Sequence, residues 1–213
     1  MNKIRVAILA LLMASACESG VVTGNGRLAR ETRPLPPFQS LLINGDFSVT
    51  VQHGLPAKAE LHVDGNLLPE IHTTVANGIL TLGADKELRS DHAMQIRLVS
   101  PEISTVTHVG RGPLTLQLLD AGQFTLNNKN TGSVTAEGSA QELSINAEGS
   151  GTLDFSAVLA RTAQILSTRD ADIRATATTA VSIDNYGSGT ITIQGSPGQV
   201  QQHNHTTGQI RFE

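Results

Sequence analysis

Two stretches of the sequence follow one frame: Leu143-Ser-Ile-Asn-Ala-Glu-Gly-Ser-Gly-Thr-Leu-Asp-Phe155 and Val181-Ser-Ile-Asp-Asn-Tyr-Gly-Ser-Gly-Thr-Ile-Thr-Ile193. Each begins with two apolar residues spaced two apart, passes through a Gly-Ser-Gly turn and ends with two more apolar residues spaced two apart. Alternation with a period of two is typical of a strand that buries one face. Both stretches are therefore predicted to fold as strand, turn and strand.

The same frame recurs every 18 to 20 residues through the second half of the chain. A repeat this short cannot bury its apolar face alone, so it is stable only when it stacks on its neighbours. The sequence predicts an all-β fold, a parallel β-helix-like solenoid with about 19 residues per coil. The predicted turns close at Gly112, Gly132, Gly151, Ala171, Gly189 and Gly208.

The alternation also predicts which side chains face the interior, because a slip of one residue would turn a whole strand over. The residues expected to be buried are Leu143, Ile145, Leu153, Phe155, Ile165, Ile173, Val181, Ile183, Ile191 and Ile193. The residues expected to point outward are Ser144, Asp154, Ser182 and Thr192.

The composition agrees with a narrow interior rather than a large globular core. Only 3% of the residues are aromatic and none is Trp, whereas 20 of the 213 residues are Gly. Abundant Gly suits at least one tight turn in each coil. The formal net charge is −4, and no basic stripe with interleaved aromatics is present, which argues against a nucleic-acid partner.

The first residues have the features of a targeting segment. Lys3 and Arg5 precede an apolar run at residues 6–13, which is too short to span a bilayer and is typical of a secretory signal. The only cysteine, Cys17, follows Ala14-Ser-Ala16 and resembles the acylated Cys of a bacterial lipobox, although that motif usually has Leu where Ala14 stands. The alternative is an ordinary signal peptide, cleaved nearby to leave a free thiol.

These patterns divide the chain into four parts. Residues 1–16 are predicted to be a lipoprotein signal peptide, and residues 17–37, which are polar and end among prolines, a flexible tether. Residues 38–105 alternate irregularly and form an N-terminal β part, and residues 106–213 form the regular solenoid. Because no linker rich in Pro, Gly or Ser separates the last two parts, they are expected to share one continuous core.

Three motifs carry a resemblance to a known family. Phe38-Gln-Ser-Leu-Leu-Ile-Asn-Gly45 with Val49-Thr-Val-Gln-His-Gly54, then Asp64-Gly-Asn-Leu-Leu-Pro-Glu-Ile71 with Thr74-Val-Ala-Asn-Gly-Ile-Leu80, and finally the Gly-Ser-Gly turns follow one another along the chain. Together they resemble the head GIN domain family, whose members are described as auto-transporter adhesins. The resemblance implies a secreted, β-helical, envelope-associated protein.

Polar residues recur four or five positions before the turn glycines, which predicts a ladder of stacked side chains. Amides at equivalent positions of stacked strands can donate and accept hydrogen bonds along the solenoid axis. A sugar-binding or metal-binding stripe is the alternative. The residues are Asn127, Asn128, Asn146, Asn185 and Asn204, with Ser167 in the coil that lacks Asn.

His203-Asn-His205 is the best candidate for a metal site, because strand residues two apart point to one side. A metal site needs three or four ligands, and no nearby Cys, Asp or Glu completes this pair. The five other histidines are scattered. Solvated histidines on a strand face are the preferred interpretation, and neither a metal nor a cofactor is predicted.

Paired carboxylates would indicate a glycosidase, since these enzymes use two of them across a groove, with the pKa of one raised. The candidates are Asp154, Asp170, Asp172 and Asp184, which lie in turns or at outward strand positions. Adjacent coils lie about 4.8 Å apart, so a pair is geometrically possible. Aromatic platforms for a sugar are scarce, however, so no catalytic residue is assigned and a carbohydrate-active enzyme is kept as the alternative.

The sequence therefore favours a non-enzymatic lipoprotein of the bacterial cell envelope, anchored at the outer membrane and acting as a structural or adhesin-like binding module. Its expected partners are the membrane, through the lipid on Cys17, a protein or glycan ligand, and a second copy of the chain. An uncapped last coil predicts an association edge. That edge consists of Gln209, Ile210, Arg211 and Phe212. A regulatory envelope protein that docks a partner through a solenoid end is a further alternative.

Overall fold

The structure, a computed structural model, describes residues 20–213, and almost all of the regular structure is β-sheet. The helical element in these residues is a 3-10 turn at Leu68–Glu70. The strands are β1 (Val21–Thr23), β2 (Leu28–Pro34), β3 (Ser40–Asn44), β4 (Ser48–His53), β5 (Lys58–Asp64), β6 (Ile71–Ala76), β7 (Ile79–Ala84), β8 (Glu87–Arg89), β9 (Gln95–Ser100), β10 (Thr105–His108), β11 (Leu114–Asn128), β12 (Val134–Ala147), β13 (Thr152–Ser167), β14 (Asp172–Asn185), β15 (Thr190–Gln194), β16 (Gln199–Asn204) and β17 (Gln209–Phe212).

Each coil contributes one strand segment before its turn and one after it, and equivalent segments of successive coils pair in parallel. The strands therefore form two rows, one of before-turn segments and one of after-turn segments. Each of the long strands β11 to β14 belongs to both rows; β11, for example, pairs with β4 through residues 114–117 and with β10 through residues 125–128. The before-turn row runs β6, β7, β3, β10, β11, β12, β13, β14 and β16. The after-turn row runs β2, β5, β9, β4, β11, β12, β13, β14, β15 and β17.

The predicted solenoid is confirmed, with about five turns spaced about 20 residues apart. The predicted interior is confirmed as well, because all ten interior residues are at most 3% exposed. Ser144, Asp154 and Ser182 lie half-buried on the outer faces. The apolar alternation was therefore sufficient to set the register of these strands.

Thr192 is a correction to that register, because it was expected outside and is only 8% exposed. It stands in β15 between Arg174 of β14 and Arg211 of β17, in register with both. The long aliphatic stems of two arginines shield a short side chain between them. Burial of Thr192 thus comes from its neighbours in the row and not from an inward orientation.

The stacked turns bring the backbones of successive coils into direct contact. A Cβ atom on Gly187 would overlap the carbonyl oxygen of Arg169 in the previous coil, and one on Gly189 would overlap that of Ala171. A Cβ atom on Gly149 would likewise overlap the carbonyl oxygen of Asn130. None of these three glycines has a positive φ, so the lack of space, rather than backbone freedom, requires Gly here.

The first coil of the solenoid lies earlier in the chain than the predicted boundary at residue 106. β3 and β4 flank its turn, and Gly110 and Gly112 stack on the backbone of Gly45 and Phe47. An insertion carrying β5 to β9 separates this coil from the next, and its strand pairs β5–β9 and β6–β7 are antiparallel. One hydrophobic core runs from Phe38 to Ile193, as expected for an irregular part continuous with the solenoid.

Residues 20–37, the described part of the segment 17–37 that was expected to be a flexible tether, contain strands. β2 pairs along its whole length with β5, and β1 pairs with β8. Strand β2 has little apolar alternation of its own, and it forms because β5 offers an unpaired edge whose backbone groups need partners. Arg33 then holds it in place by donating hydrogen bonds to the carbonyl oxygens of Ile71 and Leu68, at 2.6 and 2.8 Å.

The predicted signal peptide, residues 1–16, and the predicted lipidation site, Cys17, lie outside the described residues. Residues 20–213 contain no helix that is long and apolar enough to cross a membrane.

Replacing Gly187 with Ala tests the turn contact. Because the new Cβ would collide with backbone that cannot rotate away, we expect a loss of about 3 kcal/mol in the free energy of unfolding. Gly122→Ala is the matched control, since nothing lies within 4 Å of a Cβ there, and it should change stability by less than about 1 kcal/mol. Urea denaturation measures both, and equal midpoints for the two variants would contradict the stacking argument.

Candidate functional site

The predicted ladder of polar residues is two columns rather than one. Asn127 and Asn146 lie on the outer face, and the Asn146 amide donates to Asn127 Oδ1 at 2.9 Å. In the next coils this outer column continues with Leu166 and Asp184. The single stripe expected from the sequence is wrong in this respect, because neighbouring positions of one strand face opposite sides of the sheet.

The inner column lies just before the turns and points into the solenoid. Asn185 Nδ2 donates to Asn204 Oδ1 at 3.0 Å, and Asn185 Oδ1 accepts from the Gly187 amide at 3.1 Å. Ser167 Oγ donates to the carbonyl oxygen of Arg169 at 3.0 Å. These side chains satisfy backbone groups that the turns leave without partners, so the column is structural. Its members in chain order are His108, Asn128, Ala147, Ser167, Asn185 and Asn204.

His108 is the exception in this column. Its ring is fully buried, and neither ring nitrogen has a hydrogen-bond partner of adequate geometry among the described residues. Asn128 Oδ1, one coil further on, is also buried without a partner. Burial lowers the pKa of His108, and its neighbours Asn128 and Asp46 offset only part of this effect. His108 is therefore held in the neutral form.

His203 and His205 do not come together as a metal site. His203 Nδ1 lies 3.2 Å from Asp184 Oδ1, and the His205 ring stacks on Tyr186 with centroids 4.3 Å apart. The two imidazole centroids are 6.3 Å apart. Within residues 20–213, no three His, Cys, Asp or Glu side chains form a group able to hold a metal ion.

The four candidate carboxylates each serve a local contact. Asp170 Oδ1 accepts hydrogen bonds from the Ser188 hydroxyl and amide, and Asp172 Oδ1 accepts from the Thr190 amide. The bond from Ser188 lowers the pKa of Asp170.

Asp154 behaves in the same way. Its partial burial raises the pKa, but hydrogen bonds from the hydroxyl and amide of Ser156 and the charge of Arg174 outweigh this effect, so the net pKa is lowered. A glycosidase acid needs the opposite shift. The carboxylates found in the sequence thus hold turns and strand faces.

Sequence reasoning missed an open polar groove of about 670 Å³ on the outer face of β2, β5, β9 and β4. It was missed because residues 17–37 were expected to be a tether, and because the contributing residues are far apart in the chain. Two rows of side chains in register cross the four strands. One consists of Arg30, His62, Gln95 and Ser48, and the other of Thr32, Glu60, Arg97 and Thr50.

A second concavity of about 630 Å³, here named the Asp64 cleft, lies between the β1–β8 pair and the stacked turns at residues 46 and 111. Asp64, the last residue of β5, is 1% exposed and lines it. The Ser90 hydroxyl donates to Asp64 Oδ2 at 2.6 Å, while Oδ1 has no hydrogen-bond partner in the described chain. His92 Nδ1 lies 3.6 Å from Oδ1.

The two ends of the solenoid differ. At the C-terminal end every residue of β16 is exposed, and β17, which contains the predicted association edge, leaves Phe212 42% exposed and Ile210 partly buried. Gln209 and Arg211 are exposed and bonded to each other. No further strand of the described residues pairs with the outer edge of either.

Comparisons with known proteins agree on the family and the fold. A family model described as "putative auto-transporter adhesin, head GIN domain" matches residues 37–197, which confirms the resemblance inferred from the sequence. A solved structure of a "putative adhesin" from Bacteroides fragilis NCTC 9343 is 18% identical, with a TM-score of 0.77, over 90% of this chain and 100% of that one. A "putative adhesin" from Parabacteroides distasonis ATCC 8503 is 17% identical, with a TM-score of 0.52, over 91% and 100%. No curated protein matches the chain.

His108 should make the fold sensitive to mild acid. Because its pKa is lowered in the folded state, the unfolded chain takes up a proton below the ordinary value of about 6.5, and stability falls as the pH drops below that value. We expect His108→Asn to reduce this loss of stability at low pH. Asn does not titrate in this range, and it already occupies the equivalent position in other coils of this column, as Asn128 does. His53→Asn, at an exposed position, is the control. Urea midpoints at pH 7.5 and 5.5 provide the test, and an unchanged pH difference in His108→Asn would refute it.

Proposed function

The chain belongs to the head GIN domain family of putative auto-transporter adhesins, and we propose that it is a non-enzymatic, lipid-anchored binding module of the bacterial cell envelope. The family suggests an envelope or surface location. The finer statement, that the outer membrane holds it through a lipid on Cys17, rests on the signal-like residues before that cysteine.

The difference between the two ends of the solenoid carries this proposal. At the N-terminal end, β2 is an edge strand protected by charged residues and by Pro34, and Arg33 ties it to β6, the edge of the other row. Charged residues and proline are the usual protection of an edge against further strands. At the C-terminal end, β16 and β17 contain no proline and only one charged residue, Arg211, and they leave the apolar side chains of Val200 and Phe212 exposed.

The occupant that fits the C-terminal edge is an extended strand of a partner protein. Such a strand would supply the backbone groups that β17 lacks and cover Ile210 and Phe212, as in other cases of strand addition. Gln209 and Arg211 flank these apolar residues and would contact the partner's outward side chains. A second copy of the chain is a special case of the same mode and is separated from it by the experiment below.

The position of the anchor supports this arrangement. Cys17 lies three residues before residue 20, where the described chain begins, and three extended residues span only about 10 Å. A lipid on Cys17 would therefore hold the N-terminal coils close to the membrane. The C-terminal edge lies at the other end of the stack of coils, where a partner can reach it.

The chemistry of the ionisable groups supports a role in binding rather than catalysis. Asp154 and Asp170 have lowered pKa values, the opposite of what a general acid needs, and Asp172 accepts a hydrogen bond from a turn amide. The groove of β2, β5, β9 and β4 is polar but open. No observation favours the carbohydrate-active alternative over a binding module.

The anchor is tested by replacing Cys17 with Ser. If two or more acyl chains on Cys17 hold the protein, the variant should leave the membrane fraction, because the lipid attachment would be lost. Fractionation of cells and mass spectrometry of the mature N-terminus measure this. A Cys17→Ser variant that stays wholly with the membranes would exclude the lipid anchor.

The edge is tested in cells with a photo-crosslinking residue at position 211. We expect it to trap an envelope protein, and Phe212→Lys to abolish trapping, because a buried unpaired charge would disfavour the interface. Leu159→Lys, at another exposed apolar residue, 60% exposed against 42% for Phe212, is the control and should leave trapping intact. The mass of the product distinguishes a partner from a second copy. Trapping that is unaffected by Phe212→Lys would remove the edge from the proposal.

A further inference from the structure

The Asp64 cleft contains a carboxylate that the described chain leaves partly unsatisfied. Asp64 is 1% exposed, and its Oδ2 accepts a bond from Ser90 whereas Oδ1 has no partner. A buried carboxylate without a compensating cation is costly, and natural proteins normally pair such a group. The missing partner of Oδ1 is therefore a feature that needs a physical explanation.

The cations around the cleft are already engaged. Arg111 forms a two-pronged contact with Asp46, at 2.9 and 2.6 Å, and this contact lowers the pKa of Asp46. Arg89 donates to Glu87 at 2.9 Å. Asp91, which also lines the cleft, has neither an ion pair nor a side-chain hydrogen bond with any described residue. The cleft therefore has an uncompensated negative charge.

His92 covers Asp64 Oδ1 without bonding to it. Its Nδ1 lies 3.6 Å from Oδ1, beyond hydrogen-bond distance, and its side chain is 43% exposed. The backbone at residue 92 is fixed independently of the ring, because the His92 amide donates to Ser90 Oγ at 2.9 Å. An exposed ring without a strong bond can rotate into solvent at little cost, which would open the way to Oδ1.

We propose that the Asp64 cleft binds a primary ammonium group, which displaces the ring of His92 and donates a hydrogen bond to Asp64 Oδ1. Asp91, at the mouth of the same cleft, adds a second negative charge that attracts the cation. The volume of about 630 Å³ is within the range of small-molecule sites. This site lies at the N-terminal end of the solenoid and is independent of the C-terminal edge.

An ammonium group fits this site better than a metal ion or a neutral sugar. No three His, Cys, Asp or Glu side chains of the described residues are grouped for a metal, whereas a divalent cation takes six or more oxygen ligands. A hydroxyl could donate to Oδ1 but would leave the buried charge uncompensated. An ammonium group supplies both the donor and the charge, in a charge-assisted bond.

The covering backbone is adapted to the carboxylate. A Cβ on Gly24 would overlap Asp64 Oδ2, so only Gly allows the segment after β1 to lie over this side chain. The Gly24 amide donates to the carbonyl oxygen of Arg89 instead of to Asp64. The segment therefore shields the carboxylate from water while leaving Oδ1 for another donor.

The test is an NMR titration of the full chain in detergent with putrescine, with 1,4-butanediol as the neutral control of the same length. We expect putrescine to bind and the diol not to bind. Asp64→Asn keeps the shape and the bond from Ser90 but removes the charge, so putrescine should bind at least about tenfold more weakly. Lysine amide is the second probe. If the natural ligand is a lysine side chain of a protein, lysine amide should bind as well; if the natural ligand is a free amine, lysine amide need not bind.

His92→Ala separates the proposal from a structural ion pair. If the ligand displaces His92, the variant should bind putrescine more tightly, by up to about fivefold, since no ring has to move. If His92 is instead the permanent counter-ion of Asp64, the unmodified chain will not bind putrescine and the variant will melt at a lower temperature, and these two results together would overturn the proposal. Equal binding of the diol, or of calcium in place of putrescine with the same dependence on Asp64, would also overturn it.

Two controls keep the outcomes distinct. Asp64→Asn should melt at or above the temperature of the unmodified chain, because it removes a buried charge, so weaker binding cannot be attributed to unfolding. Phe212→Lys should leave putrescine binding unchanged, because it alters only the opposite end. Loss of partner trapping at the edge and loss of amine binding in the cleft are therefore separate results.

Discussion

The close approach of backbone at the stacked turns is the constraint on which the rest of this solenoid depends. At several of the stacked turns the backbone lies so near the carbonyl oxygens of the turn before it that no Cβ fits, as at Gly149, Gly187 and Gly189. With the turns held in contact, equivalent residues of successive strands are brought into register, and the apolar positions form continuous columns. The polar column beside the turns follows from the same contact, because side chains such as Asn185 must satisfy the backbone groups that the bends leave free.

A solenoid built by stacking has two ends, and its neighbour contacts give neither end a partner. At one end this chain solves the problem with an irregular insertion, whose antiparallel strands and Arg33 close both rows. At the other end β16 and β17 keep their outer edges open within the described residues. β16 is the more polar of the two, with Gln202 where earlier coils place Ile or Leu, although Val200 remains apolar. This asymmetry is the basis for proposing that a partner strand binds at the last coil.

Most charged groups in this protein are paired locally, and the exceptions are the informative ones. Asp46 with Arg111 and Asp170 with Ser188 link one turn to the next and so stabilise the stack. His108 and Asp64 are buried without full hydrogen bonding. The first is enclosed within the solenoid and has consequences for stability, whereas the second lines a cleft and points to a ligand. Both groups are almost fully buried, so burial does not distinguish them. The difference is that only Asp64 borders a cleft large enough for a ligand.

The sequence alone determined the regular part of this protein, because there the signal is local. Apolar alternation around Ile183 and the spacing of Gly-Ser-Gly turns specify strand, turn, register and stacking within one coil length. It did not determine that residues 28–34 form a strand, that Thr192 is shielded by Arg174 and Arg211, or that Asp64 meets Ser90 and His92. Each of these depends on strands brought together from distant parts of the chain by an unpaired edge. Only the tertiary structure decides which edge is available and what lies beside it. Backbone hydrogen bonds between strands depend little on the identity of the side chains, so the sequence does not reveal which strands pair.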